Sequence, residues 1–264
     1  MNMLENRILQ NPLWAIEKVR LALKSKLAMN KNDIMLAMFP KTGSTWIRYF
    51  LFNLLNESES KDFQSSIDLM NATMPEFGHE SMFSPWLFDS VPRLVKTHRP
   101  SNWLTRGYRT VLVVRDPRDV VISYFHYANA KKELNFSGEL SDVINHPEMG
   151  FEYFFKQFNS WCNEADLILK YEDLKRDPKT YFRQLCDFIG VVTSDDEIER
   201  AIEKSDLKAM RDAQASSKAF KEKFDKDFVF ARKGVSGEWK ILFGAKELAI
   251  WDAISQANNF SLYT

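Results

Sequence analysis

The segment Pro40–Trp46 carries the residue types best suited to binding an anion. It reads Pro-Lys-Thr-Gly-Ser-Thr-Trp, so it brings Lys41 together with three hydroxyl side chains. Gly43 allows a sharp turn, and the N–H groups and dipole of a helix beginning there attract phosphate or sulfate. The spacing differs from the Gly-x-x-x-x-Gly-Lys-Ser/Thr loop of ordinary ATP sites. A phosphate or sulfate site is therefore predicted, although a strand–turn–helix connection without a ligand has the same local signature.

Buried strands and helices must position this segment. The apolar run Ile34–Met38 predicts a buried parallel strand, which Pro40 ends because proline cannot donate to the ladder. Ser44 or Thr45 is expected to cap the helix that follows. Further strands are predicted at 93–98, 110–114 and 167–169. Their alternation with helical segments predicts an α/β fold, a single domain with a central parallel β-sheet flanked by helices.

Chemically useful side chains are predicted to converge at one edge of this sheet. Lys41, His98, Arg115 and Tyr171 each follow a predicted strand. Ligands of parallel sheets bind beyond the carboxyl ends of the strands, so we expect one active site there. Structural alternatives remain open: His98 as a core histidine, and Arg115 as an ion pair with Asp119.

Composition excludes several classes of protein. The 264 residues include 36 basic and 36 acidic ones, so the net charge is zero and a generic nucleic-acid binder is not expected. Cys162 and Cys186 fit no metal spacing and are expected to be reduced residues of a cytoplasmic protein. The sequence has no secretory signal and no apolar run of about 18 residues, so no membrane span is predicted.

Two segments outside the strands have a character of their own. Residues 1–30 are interpreted as an N-terminal amphipathic helix, and residues 31–264 as the main domain. Packing of this helix against the domain is expected, with membrane-surface or partner binding as the less favoured alternative. Residues 56–91 are irregular and rich in methionine and aromatic residues, which is typical of a binding loop or of a loop folded onto its own small core. The apolar helix face consists of Leu13, Ile16, Val19, Leu23 and Leu27.

Five motifs in one order resemble those of the cytosolic sulfotransferases, with a P-loop-like segment as the first. Together they span residues 34–251, which is nearly the whole chain. The motifs are Pro40-Lys41-Thr42-Gly43-Ser44-Thr45-Trp46, Lys96-Thr97-His98, Arg115 followed by Ser123, Tyr171-Glu172-Asp173-Leu174, and Arg232-Lys233-Gly234-x-x-Gly237-Glu238-Trp239-Lys240.

The resemblance implies an enzyme that uses 3′-phosphoadenosine 5′-phosphosulfate as co-substrate and no metal. The 5′-phosphosulfate would be bound by Lys41, Thr42, Gly43, Ser44, Thr45 and Trp46. The 3′-phosphate would be bound by Arg115, Ser123, Arg232, Lys233 and Gly234. The adenosine would contact Trp46, Tyr171, Phe230 and, by a weaker match, Ser205. Arginine suits phosphate because its planar fork pairs two oxygens at once.

The same resemblance implies catalytic roles. His98 would take the proton of a hydroxyl or amine on a small-molecule acceptor. Lys41 would neutralise the leaving oxygen, Lys96 would stabilise the transferring sulfuryl group, and Ser123 would restrain Lys41 until the acceptor binds.

Departures from the family pattern and two rival functions complete these expectations. Arg99 stands where the family has a leucine, which places a charge beside the expected acceptor pocket. The family's dimer motif is degraded, with Gly244-Ala245 and Ala249 at its key positions, so that mode of dimer is not expected. The rivals are a P-loop kinase using ATP and a nucleotide-binding protein without catalysis. The chain lacks the Walker lysine that a kinase would need. A binding protein without catalysis would be expected to have lost Lys41 or His98, and both are present.

Overall fold

The computed structural model describes residues 12–225, 228–229 and 234–263. Four parallel strands form one sheet within these ranges, in the order β2-β1-β3-β4. The strands are β1 (Ile34–Met38), β2 (Leu94–Thr97), β3 (Arg109–Val114) and β4 (Leu167–Lys170). Each of the four predicted strands is therefore present, with its bounds shifted by at most one residue.

Helices connect the strands and cover both faces of the sheet. In chain order they are α1 (Pro12–Ala28), α2 (Ser44–Ser58), α3 (Ile67–Thr73), α4 (Pro117–Ala130), α5 (Leu140–Ile144), α6 (Phe151–Trp161), α7 (Tyr171–Arg176), α8 (Pro178–Ile189), α9 (Asp195–Glu203), α10 (Leu207–Ser216), α11 (Lys218–Lys223), α12 (Trp239–Leu242) and α13 (Ala245–Ala257). Two short 3₁₀ helices, Glu80–Phe83 and Lys132–Leu134, lie between them. The predicted α/β fold is confirmed.

Strand β1 shows why the sheet must be covered on both sides. Successive strand residues point to opposite faces, so Ile34 and Leu36 join one apolar core while Met35 and Ala37 join the other. The first core contains side chains of α2, α8 and α9, and the second contains side chains of α4, α6 and α13. Both faces of β1 are therefore dry, and the polar groups that follow it emerge only at its carboxyl end.

Helix α1 packs against the domain, but not through the face that the sequence suggested. Leu21 and Ser25 face inward, and the Ser25 hydroxyl accepts a hydrogen bond from the Gly78 N–H at 3.0 Å. The apolar residues expected at the interface are instead exposed, with Leu13 at 76% and Leu27 at 86%. Helix α1 therefore has a second face, which includes Leu21 and Ser25 and carries smaller side chains. This second face is the one buried against the domain.

No helix in the described ranges is long and apolar enough to cross a membrane. Phe230, Arg232 and Lys233 lie outside the described residues, as do residues 1–11, so the roles predicted for them stay predictions.

Candidate active site

The Pro40–Trp46 loop turns sharply between β1 and α2. Lys41 and Gly43 both have positive φ angles, 75° and 93°. Gly43 is the N-cap of α2 and no side chain caps it, so the expectation that Ser44 or Thr45 would cap the helix is wrong. A side chain at position 43 would also collide with the Tyr171 ring, 2.7 Å from an ideal Cβ. The helix N-terminus therefore stays open to a ligand.

Thr42 serves the loop itself. It is fully buried, and its hydroxyl donates to the Phe39 carbonyl at 2.8 Å. The other members of the loop, from Lys41 to Trp46, line a cleft together with Arg115, Ser123 and Tyr171. Thr42 is absent from that lining, so its contribution is to the shape of the turn.

Arg115 joins the two loops expected to bind the two ends of the donor. Its Nη1 donates to the Lys41 carbonyl and its Nη2 to the Val235 carbonyl, each at 3.1 Å. Its guanidinium carbon also lies 4.7 Å from the centre of the Tyr171 ring. The buried Nε has no hydrogen-bond partner among the described residues. The Arg115 guanidinium thus links the Pro40–Trp46 loop to the segment that begins at Gly234.

Asp119 fixes that second segment from the first turn of α4. Its carboxylate accepts hydrogen bonds from the Gly237 N–H at 2.6 Å and the Trp239 N–H at 3.1 Å. Burial raises the pKa of Asp119, while these hydrogen bonds oppose the shift. Asp119 therefore holds the segment and is not the ion-pair partner that the alternative role of Arg115 required.

Aromatic rings and a lysine form the wall beside the loop. The Trp46 ring makes edge contacts with Tyr171 and Phe182, with centroids 5.9 and 5.2 Å apart. The Lys175 ammonium lies 5.2 Å from the centre of the Trp46 ring. Ser205 lines the cleft, but its hydroxyl donates to the Ala201 carbonyl at 2.7 Å. Its contact with a ligand would therefore be mainly steric.

His98 follows β2 and is anchored to the end of β1. Its Nδ1 lies 2.6 Å from the Met38 carbonyl oxygen. A carbonyl only accepts, so Nδ1 carries the proton and Nε2 keeps its lone pair. Burial and the Lys96 charge lower the pKa of His98 to about 4. The imidazole is therefore neutral near pH 7, with the unprotonated nitrogen at Nε2.

Lys96 has a carboxylate partner. Its Nζ lies 2.7 Å from Glu76 Oε2, and the backbones of the two residues form a parallel β-bridge. Burial and the charge of Arg48 lower the pKa of Lys96 to about 8. Burial by itself would raise the pKa of Glu76, but the charges of Lys96 and His98 help to outweigh it and to lower this pKa to about 2. The carboxylate therefore stays charged.

Arg48 adds a buried cation to the same cluster. It lies within α2, and its Nη2 donates to Asn71 Oδ1 at 2.9 Å. Its Nε is buried without a hydrogen-bond partner in the described ranges, and burial lowers the pKa of Arg48 to about 10. A charged residue between the apolar residues Ile47 and Phe50 of α2 was the sequence signal that could have identified it.

Lys41 has a different environment. Its ammonium lies 4.2 Å from the centre of the Tyr127 ring. Burial, followed by the charges of Arg115 and Lys131, lowers the pKa of Lys41 well below its ordinary value. An anion bound at this loop would oppose all three causes.

A second cavity adjoins the cleft and shares Thr45 and Met210 with it. Tyr127, Phe220 and Phe224 contribute aromatic surface to its lining. Sequence reasoning did not identify these residues, because helices α4, α10 and α11 meet here only in the tertiary structure. The cleft residues to which it assigned no role are Leu174, Lys175, Pro178, Ile202, Asp206, Leu207, Met210, Val235 and Glu238.

Comparison with known proteins identifies the family. A family model described as "Sulfotransferase domain" matches residues 31–261. The chain belongs to the sulfotransferase domain family. Among curated sulfotransferases, it is 23% identical to Sulfotransferase 2A6 of Mus musculus over 92% of this chain and 90% of that protein. It is 24% identical to the 3-beta-hydroxysteroid sulfotransferase of Cavia porcellus over 88% of this chain and 85% of that protein.

Solved structures share the sulfotransferase fold. Retinol dehydratase in complex with androsterone and inactive cofactor PAP gives a TM-score of 0.72 at 18% identity, over 93% of this chain and 87% of that one. Mouse sulfotransferase SULT7A1 complexed with PAP gives 0.67 at 21% identity, over 90% and 89%. The fold expected from the five motifs is therefore confirmed.

Proposed function

We propose that this sulfotransferase moves a sulfuryl group from 3′-phosphoadenosine 5′-phosphosulfate to a hydroxyl or amine of a small molecule. The observation that carries the donor assignment is the position of Arg115 between the two loops. The donor has two separate anionic ends, and one guanidinium that joins both loops suits such a molecule. The PAP bound in the related structures of retinol dehydratase and SULT7A1 agrees with this donor.

The loop at Lys41 would hold the end of the donor that reacts. The open N-terminus of α2 would offer N–H groups to the phosphosulfate, and the half-buried Lys41 lines the same cleft. As the bond from sulfur to the bridging oxygen breaks, the ammonium would neutralise the charge on that oxygen. Ser123 lies in the same cleft and would restrain Lys41, as the family resemblance implies.

His98 would act as the base. Its Nε2 would take the acceptor's proton while the acceptor atom forms its bond to sulfur, in line with the bond that breaks. The imidazolium formed would be stabilised by the nearby Glu76 carboxylate, whose charge raises the pKa of His98. Lys96 would turn from Glu76 towards the sulfuryl oxygens as their charge grows.

The second cavity is the proposed place for the apolar body of the acceptor; because His98 is not among its lining residues, the nucleophilic group would extend out of the cavity towards the imidazole. The cavity adjoins the Pro40–Trp46 loop through Thr45. The Tyr127 ring in its wall also contacts the Lys41 ammonium. Its aromatic and aliphatic lining suits an acceptor with an apolar body and one nucleophilic group. Related structures of retinol dehydratase contain androsterone or retinol, and these molecules are of the kind proposed for the acceptor.

A thermal-shift experiment without Mg²⁺ tests the donor assignment. We expect 3′-phosphoadenosine 5′-phosphate to raise Tm more than AMP or ATP at equal concentration, because only it fills both anion sites. Greater stabilisation by ATP would favour the kinase alternative. Formation of the sulfated product, followed over a panel of phenols, alcohols and amines, then distinguishes an enzyme from a protein that only binds nucleotides.

A further inference from the structure

The exposed face of helix α1 is a continuous apolar stripe. Leu13, Ile16, Val19, Leu23 and Leu27 are spaced by three, three, four and four residues, so they share one side of the helix. Their exposed fractions are 76%, 63%, 60%, 43% and 86%. Single exposed apolar residues are ordinary, but an aligned row marks an interaction surface.

The domain already occupies the opposite side of α1. Leu21 and Ser25 are buried, and the Lys26 ammonium donates to the Tyr108 hydroxyl at 3.0 Å. These contacts hold the helix with its apolar stripe outward. Rotation of the helix to bury the stripe would break the hydrogen bond between Ser25 and Gly78. The outward direction is thus fixed by the fold.

The charge of α1 indicates what covers the stripe. The helix carries four basic residues and one acidic residue, a net charge of +3, although the whole chain is neutral. Arg20 and Lys24 are exposed beside the stripe. Apolar residues flanked by cations are typical of helices that lie on an anionic lipid surface.

A second copy of the chain is a poorer occupant. Two α1 helices placed face to face would each bring a charge of +3 to the contact. The stripe is about 21 Å long and about 10 Å wide. Its footprint of roughly 200 Å² is far below the about 800 Å² per partner of a stable interface. We propose that α1 docks the protein on anionic membranes, with the stripe entering the boundary between headgroups and acyl chains.

Vesicle co-sedimentation with the full chain tests this docking. The probes are phosphatidylcholine vesicles with and without about 30% phosphatidylserine. We expect binding to the anionic vesicles that falls with rising salt and weakens more than about tenfold in Ile16→Ser/Leu23→Ser, since each buried aliphatic side chain contributes about a decade of affinity. Lys24→Glu should weaken it by about tenfold or more.

Val192→Ser is the matched control, because Val192 is 94% exposed on another part of the surface. It should bind vesicles as the parent chain does, and Tm of all variants should stay unchanged. Absence of binding by the parent chain, or equal binding by Ile16→Ser/Leu23→Ser, overturns the proposal. A concentration-dependent dimer that the same double substitution abolishes, seen by sedimentation velocity, would assign the stripe to a second copy instead.

Discussion

Lys41 follows β1 and Lys96 lies in the neighbouring strand β2, yet the protein surrounds the two lysines differently. Burial and the charges of Arg115 and Lys131 disfavour the charged form of Lys41. Lys96 has the Glu76 carboxylate at 2.7 Å, which favours the charged form. An anion bound at the Pro40–Trp46 loop, here called the donor loop, would therefore favour the charged form of Lys41, whereas Lys96 has a carboxylate beside it before any ligand binds.

The largest effect is expected from His98→Ala. Removal of the base should lower kcat by about 10²- to 10⁴-fold, while the affinity for 3′-phosphoadenosine 5′-phosphate stays within about twofold. Product formation and calorimetric titration measure the two quantities. A comparable loss of nucleotide affinity would show that His98 belongs to the donor loop and that the two groups of residues do not act separately.

Lys41→Met tests the donor side. The substitution keeps the length of the side chain and removes its charge, so nucleotide affinity should fall by about 10- to 100-fold. The matched variant is Lys96→Met/Glu76→Gln, which neutralises both members of the other pair. Its nucleotide affinity should stay near that of the parent chain while kcat falls. Equal losses of affinity in the two variants would contradict the comparison.

Asp119→Asn should affect only one end of the donor. An amide cannot accept from both the Gly237 and Trp239 N–H groups, because its NH₂ would face one of them. We expect the affinity for 3′-phosphoadenosine 5′-phosphate to fall by about tenfold and that for AMP to change little. Asp187→Asn, at an exposed position of α8, is the control. A parallel loss for both nucleotides would indicate general destabilisation.

The smallest effect is a shift in pH dependence. The kcat/KM should rise as pH increases through about 4, where His98 becomes neutral, and fall through about 8, where Lys96 loses its charge. Glu76 raises the pKa of Lys96, so Glu76→Gln should move the falling limb to lower pH. Glu80→Gln, an exposed neighbour, should leave it in place. An unmoved limb in Glu76→Gln would assign it to another group.

Local signals in the sequence predicted the strands and the loop correctly. The run Ile34–Met38 is apolar throughout because both faces of β1 are buried, and that is visible from composition alone. The cap of α2 was predicted wrongly, because hydroxyl residues followed Gly43 and only the backbone shows that Gly43 itself occupies the cap. Asp116 caps α4 as expected of an acidic residue directly before a proline in the first turn, since its carboxylate accepts from the Arg118 N–H.

Contacts between distant segments could not be predicted. No local signal indicates that Glu76 pairs with Lys96, because this pairing depends on a backbone bridge between two separate segments. The packing side of α1 was missed because periodicity favours the largest apolar residues. The fold instead buried Leu21 and Ser25, whose small neighbours allow close approach.

The bridge between Glu76 and Lys96 has a practical consequence for altering the enzyme. The Lys96 N–H donates to the Pro75 carbonyl and the Phe77 N–H donates to the Lys96 carbonyl, each at 2.8 Å. These bonds use main-chain atoms only, so they hold position 76 in place whatever side chain it carries. Position 76 is thus a ready site for saturation mutagenesis aimed at the charges around Lys96 and His98, with the main chain and the donor loop left untouched.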